Sequence, residues 1–533
     1  MFAKALRALQ VKRVPARWVW IPYDQLHASF VPEGAGIVFV EMPEKAARRP
    51  YHQQKLALVL SNGRHFLLEQ ARRGVPVRHR VGRLADVLRV EARELGGLTA
   101  MQPAERETRE EIAPLVAKKL LTLEPHRGWL TSREDFLTGA GEAPPWRMDA
   151  FYRHVRRSTG ILMERGSPSG PPGRGSPGGA RDRSKFAGGR LSHDSENRKR
   201  WRGAPLPPRP PSFPRDEIKE EVARLVRDRF GDHPGTVDLD VLPATLADAQ
   251  AQWAFGRDRL LAQFGPFEDA MSAQEQRLFH TRISGVLNLH RLLPREVLRD
   301  ALGAEVPLQS KEGFVRQILG WREFVRHVHD EWPELSRSPS YLSADLELPQ
   351  AYWGVPSGLH CLDTVVAQVR REAWSHHITR LMVLGNIATL LGVRPRAITD
   401  WFWAFYEDAY DWVVEPNVMA MATFGAGPVM TTKPYVAGAA YIDRMSDYCQ
   451  GCRFDPKRDC PLTPMYWAFL QRNEEKLRAL GRMQQPLYSL GRRTAAQKKH
   501  DAQVYEISRD KLGQAEELVP ADFSTRAKRS AAD

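Results

Sequence analysis

Four cysteines carry the sharpest chemical signal in the chain, and all lie in its C-terminal half. Cys449-Gln-Gly-Cys452 is a CxxC pair. Cys460 follows eight residues later with Pro461 behind it, and Cys361 stands 88 residues upstream of Cys449. Two thiolates at CxxC spacing can bind one metal centre, and a near third with a distant fourth completes tetrahedral sulfur ligation. Spacing alone leaves structural zinc, an iron–sulfur cluster and buried inert thiols all open. The Cys460-Pro461 step resembles ferredoxin-type runs.

Two further groups of residues could do chemistry. Trp401-Phe-Trp-Ala-Phe-Tyr-Glu-Asp-Ala-Tyr-Asp-Trp412 holds seven aromatics in 12 residues. Core packing accounts for many aromatics, but closely packed indoles can also relay electrons to a redox cofactor, and both readings stand. Ser375-His376-His377 falls on a predicted helix, where neighbours point about 100° apart. At most one imidazole would then face a substrate directly, as a proton donor. A satisfied core or surface histidine is the alternative.

These groups must be held by more than one unit, because 533 residues exceed what a single core supports. Residues 1–150 alternate apolar runs with helical patterns. Trp18-Val19-Trp20-Ile21, Gly36-Ile37-Val38-Phe39-Val40 and Val75-Pro76-Val77 read as strands, and residues 54–70 as a helix. That alternation predicts a parallel α/β sheet. Residues 151–215 read as a linker. Within it, 13 of the 14 residues 166–179 are Gly, Pro or Ser, too polar and flexible to bury apolar surface. Ten Lys/Arg against three Asp/Glu between Arg165 and Arg202 make it a solvated linker or a basic arm. Its Gly173-x-Gly175-x-x-Gly178 match to a dinucleotide fingerprint has neither a strand before it nor a helix after it, and counts for nothing.

Residues 216–490 carry apolar residues every three or four positions over 218–230, 278–302, 313–331, 364–391 and 396–412. This half is predicted to be helical. Residues 491–533 are polar and mildly basic, and are expected to form a loose or short-helical tail.

Lys plus Arg number 78 against 64 Asp plus Glu, a net charge of +14 that favours a polyanionic partner such as nucleic acid. The N-terminus lacks the apolar core of a secretory signal, and no stretch reaches the 18 apolar residues of a membrane helix. A cytoplasmic location without a membrane follows as an expectation, in which thiols stay reduced.

The motifs between Phe264 and Leu490 supply a resemblance. They are Gly265-Pro-Phe-Glu-Asp-Ala270, Phe279-His-Thr-Arg-Ile-Ser284 with Leu287-Asn288, Leu319-Gly-Trp-Arg-Glu-Phe324, Tyr352-Trp-Gly354, Ser375-His-His-Ile-Thr-Arg380, and Lys433-Pro-Tyr435 through Met445-Ser-Asp-Tyr-Cys449. Asp24-Gln25-Leu26 and Tyr51-His52-Gln-Gln-Lys55 match near the N-terminus. On these motifs the chain resembles the iron–sulfur bacterial cryptochromes and photolyases, also called prokaryotic (6-4) photolyases.

The resemblance implies an α/β, Rossmann-like antenna domain and an all-α C-terminal domain holding a U-shaped FAD. It also implies a [4Fe-4S] cluster on Cys361, Cys449, Cys452 and Cys460. It places Thr281, Arg282, Ser284, Asn288, Asp408 and Asp411 at the flavin, and His376 and His377 as the catalytic pair. Tyr435, Tyr441 and Met421 would line the lesion pocket. Trp353 and Trp401 match a photoreduction route that here either runs through Trp403 or stops earlier, because Phe402 stands where some members use Tyr. Asp24, Glu41, His52 and Lys55 are the implied contacts for a 6,7-dimethyl-8-ribityllumazine antenna, though Tyr23 replaces a frequent Gly and would crowd that pocket. The implied activity is blue-light-driven repair of (6-4) photoproducts in UV-damaged DNA by a monomer, a carbon–carbon lyase reaction. The alternative is a blue-light receptor that signals without repair.

Overall fold

The computed structural model describes residues 1–10, 13–164 and 185–523. The Gly/Pro/Ser-rich stretch 166–179, its glycine motif and part of the basic segment lie outside the described residues.

The N-terminal strands are β1 (Arg17–Trp20), β2 (Ala35–Glu41), β3 (Val77–Val81), β4 (Leu98–Met101) and β5 (Leu121–Glu124). They form one parallel sheet in the order β3-β2-β1-β4-β5. β2 is buried along its whole length, as a parallel strand covered on both faces must be. Side chains alternate across the sheet. Val19, Ile37 and Phe39 join Leu56, Phe66 and Leu67 of helix α1 (Gln53–Arg72). Trp20, Val38 and Val40 join helices α2 (Leu84–Glu94) and α3 (Arg106–Ala117) through Leu88, Ile112 and Leu115. Gly63 lets α1 come close, since a Cβ there would sit 2.8 Å from the Phe39 ring.

The α1-side core runs without a break into the helical half, reaching Leu362, Trp401, Phe469 and Leu512. Helices α4 (His360–Glu372), α5 (Pro395–Phe405), α6 (Leu462–Arg472) and α7 (Ala495–Gly513) lie there.

Three expectations change. The single helix expected over 278–302 divides into Ser284–Asn288 and Pro294–Gly303, with Arg282 and His290 in left-handed backbone. The helix expected over 364–391 ends at Ala373 (φ 52°), and Trp374, Ser375 and His376 pass before helix resumes at His377. Arg282 caps this end by donating to the Glu372 carbonyl at 2.9 Å, and the Glu407 amide donates to the Ala373 carbonyl at 2.9 Å. The expected loose tail is instead the 19-residue α7, started by a Thr494/Gln497 capping box and buried through Val504, Tyr505 and Leu512.

After α7, residues 514–523 return across the cysteine loop. The Leu518 amide donates to the Ser357 carbonyl at 3.0 Å, and Arg453 donates to Glu517 at 2.9 Å. Gly358 (φ 81°) is required beneath this strap, because a Cβ there would lie 2.1 Å from the Leu518 carbonyl oxygen.

Candidate active site

Three stretches of widened, π-type helix, Arg316–Arg322, Arg380–Gly385 and Glu415–Ala422, border one cleft of about 1180 Å³. Such widening displaces side chains from regular helical register and is frequent at functional sites. The volume exceeds the roughly 300–1,000 Å³ typical of a pocket for one drug-sized ligand, leaving room for a cofactor and a substrate group together.

One wall is built from charge pairs. Arg380 holds Asp408 bidentately at 2.9 and 3.0 Å, and the Asn288 amide donates to the Asp408 carbonyl at 2.9 Å. Burial raises the Asp408 carboxyl, but Arg380 outweighs it and holds the group below its usual range. Thr281 and Ser284 line the same cleft. Arg282 lines it too, but its guanidinium is held by Glu372 and Glu407. Arg322 is only partly committed: Nη1 reaches Glu323 at 3.4 Å, but its buried Nη2 has no partner, and burial pulls it down to about 10. Asp411 does not reach the cleft. Its carboxylate accepts from the Arg106 amide at 2.6 Å, capping α3 across the domain boundary.

The same lining carries histidines and phenols. His376 is 2% exposed, with no partner on either ring nitrogen. Burial holds it well below the usual histidine range, so it is neutral. His377 reaches solvent and lies 3.8 Å from Asp269. Because His376 precedes the helix rather than belonging to it, both imidazoles line the cleft, contrary to the one-imidazole expectation. His280 stacks face to face on His376, with centroids 4.3 Å apart and planes 8° apart. Tyr435, Tyr441 and Met421 complete this wall, and burial raises both phenols, keeping them protonated.

The aromatic run leads away from the cleft. Phe402 and Tyr406 line it and stack at 5.0 Å, and Trp401 meets Phe402 at 5.3 Å. Phe405 then bridges Trp401 (4.8 Å) to Trp353 (5.3 Å), which is 37% exposed. Trp403 lies under the Arg49 guanidinium at 3.7 Å.

The four cysteines form no disulfide, and the other three sulfurs act electrostatically on Cys361. Cys361, in the first turn of α4, is pushed well up by burial and then by the other three sulfurs. Cys449 and Cys460 are each pushed up to about 12, burial again first. Neighbouring thiolates that repel one another suit a bound cation.

The four residues expected at an antenna do not share a free surface. Arg64 grips Glu41 at 2.8 and 3.0 Å. His52 caps α1 and bonds the Arg370 carbonyl at 2.9 Å, while Lys55 donates to the Trp403 and Ala409 carbonyls. Tyr23 fills the neighbouring space and donates to Glu105. This set does not fit a lumazine.

Asp24 lies beside Glu105 and Lys45, and burial above all pushes its carboxyl up to about 7. Its folded value exceeds the ordinary 3.8. Its stabilising effect is therefore complete below pH 3.8 and lost as pH rises through about 7. Asp24→Asn is expected to raise the melting temperature at pH 8, by stability on the order of 3–4 kcal/mol, and to give no gain at pH 4. Calorimetric melts of both proteins at the two pH values check this.

A parallel five-stranded domain joined to a helical domain around such a cleft defines the photolyase/cryptochrome fold. Residues 19–172 and 181–241 match the family described as deoxyribodipyrimidine photo-lyase-related protein. The chain is 34% identical over 501 residues to a (6-4) photolyase of Agrobacterium fabrum, covering 87% of this chain and 92% of that protein. Two solved structures share the fold at 14% identity. One is a class III photolyase of Agrobacterium tumefaciens (TM-score 0.53, 94% of this chain and 99% of that one), the other a Synechocystis cryptochrome (TM-score 0.52, 94% and 100%). The chain belongs to the photolyase-related family.

Sequence reading gave no role to His280, Arg322 or Arg380, although each stood inside a quoted motif. Among the described residues, no helix is long and apolar enough to cross a membrane.

Proposed function

We propose that the chain is a light-driven (6-4) photolyase that holds FAD in the cleft and an iron–sulfur cluster on its four cysteines. One observation carries this reading: a cleft large enough for cofactor and lesion has a histidine pair and two protonated phenols on one wall. The relative named (6-4) photolyase supports the same reaction over signalling.

Thr281, Ser284, Asn288 and the Arg380–Asp408 pair would hold FAD, and the unpartnered Arg322 Nη2 suits an acceptor on it. Bound and reduced, FAD supplies a light-driven electron to the lesion. The chain's part is to receive the flipped dinucleotide, at a cost of a few kcal/mol that damage lowers. Basic groups on the rim hold phosphates, so binding weakens with salt. Tyr435 and Tyr441 offer hydroxyl donors, and Met421 packs on the base. Burial keeps His376 neutral, and His377, half exposed with Nε2 3.8 Å from an Asp269 carboxylate oxygen, is the member of the pair assigned to proton delivery.

For recharging from outside, Trp401 and Trp353 form the route. A positive charge on Trp403 is disfavoured by the Arg49 guanidinium against its face. Cys361, Cys449, Cys452 and Cys460 would hold the cluster, and the electrostatic effect of the other three sulfurs on Cys361 supports their sharing one neighbourhood.

The test is product recovery: reduced protein and a (6-4)-containing oligonucleotide under blue light regenerate thymines. Their absence from a preparation carrying both FAD and iron defeats the proposal.

A further inference from the structure

His280 sits where an aromatic hydrocarbon would pack equally well. Its ring stacks on His376, meets Phe264 edge-on at 5.6 Å and faces the His377 ring edge at 5.5 Å. It is 9% exposed, and its Nε2 is buried without a partner. A phenylalanine would keep every one of these contacts and bury no polar atom. An unbonded buried nitrogen weakens the fold, so its presence needs a use beyond packing.

Metal binding is one candidate, since the nitrogens of His280, His376 and His377 lie within 4.8 Å of one another. The stacking argues against it. A ligating nitrogen's lone pair lies in the plane of its ring, and two rings 8° from parallel, face to face, cannot aim at one cation. What remains is the cleft itself, which His280 lines together with His376, whose two nitrogens are equally unpartnered.

We infer that His280 is a third catalytic histidine, whose Nε2 hydrogen-bonds the bound lesion while its face fixes the orientation of His376. This rests on the repair reading above. The two covalently joined pyrimidines of the lesion present carbonyl, hydroxyl and ring N–H groups, and three clustered imidazoles can meet more than one of them at once. Such contacts act on the reacting bases, whereas dark affinity comes mainly from phosphates. The loss on substitution therefore falls on repair per absorbed photon and leaves dark binding nearly unchanged.

Two variants decide it, each assayed with bound FAD and iron quantified. His280→Phe keeps the stack and removes the nitrogen. It is expected to melt at or above the wild-type temperature, to bind the damaged oligonucleotide within about threefold of wild type, and to lose at least about tenfold in repair per photon. His280→Gln places an amide nitrogen near the lost Nε2 and is expected to recover much of that yield. A phenylalanine variant with wild-type yield overturns the inference. So does a glutamine variant no better than phenylalanine, or a phenylalanine variant that sheds FAD and melts early, which would make His280 structural only. Absence of repair by the wild-type protein in the same assay is a separate outcome and bears on the repair reading instead.

Discussion

Cys361→Ser is expected to yield protein that lacks iron and does not melt cooperatively. Cys361 is the only one of the four sulfurs that is fully buried, and it sits in the first turn of α4. The last turn of the same helix carries Glu372, which holds Arg277 and Arg282, and the chain then turns into His376. A metal centre on the four cysteines would therefore pin one end of the helix whose other end leads to His376. The strap 514–523 lies over the same loop through Leu518, Arg453 and the Phe454–Phe523 contact at 6.1 Å. Structural zinc in finger peptides, a four-ligand centre of the same kind, binds with about 10–16 kcal/mol at neutral pH, as large as the whole stability of a typical domain, about 5–15 kcal/mol. Losing one thiolate of four puts that contribution at risk. Iron assay and circular-dichroism melts check it, with four irons per wild-type chain expected. A soluble serine variant with full iron and an unchanged melt would refute the arrangement, and a wild-type chain carrying one zinc would refute the cluster.

What could be read in advance divides along the line between local and distant causes. β1 and β2 were legible because each is a short, local run of apolar residues, and α1 because its helical period runs unbroken for 20 residues. The break at 373–376 was not legible. Residues 364–391 keep a helical period throughout, and the interruption is imposed by Arg282 and Glu407, distant in the chain. Asp408 and Asp411 are three residues apart, yet one turn sends the first into the cleft and the second to the N-terminus of α3. Lys55 carries a motif match, but its ammonium is fixed by the Trp403 and Ala409 carbonyls of the other domain. Burial in that setting pulls it down to about 7. Nothing near Lys55 in sequence announces those partners. α7 was misread for a different reason: its composition is polar, although the Thr494-x-x-Gln497 capping box at its start was a local signal of a helix.

His377→Asn separates chemistry from stability in the opposite sense to Cys361→Ser. The His377 side chain is 42% exposed and packs little, so its replacement is expected to change stability by no more than about 0.5 kcal/mol. Repair per absorbed photon is expected to fall by about 10²–10³-fold, within the range that positioned proton donors contribute. Group transfer between the two bases requires a proton at the migrating group before the electron returns. His376 cannot supply one as an imidazolium, because burial keeps it neutral, and the two phenols are held in their protonated form by burial as well. An asparagine at 377 can still donate a hydrogen bond, but it cannot carry a transferable proton, so the loss isolates proton delivery from lesion contact. Quantum yields and dark binding constants for wild-type and variant protein measure it. A yield within threefold of wild type would show that the proton comes from elsewhere on the wall and would strip His377 of the role that Asp269, at 3.8 Å, equips it for.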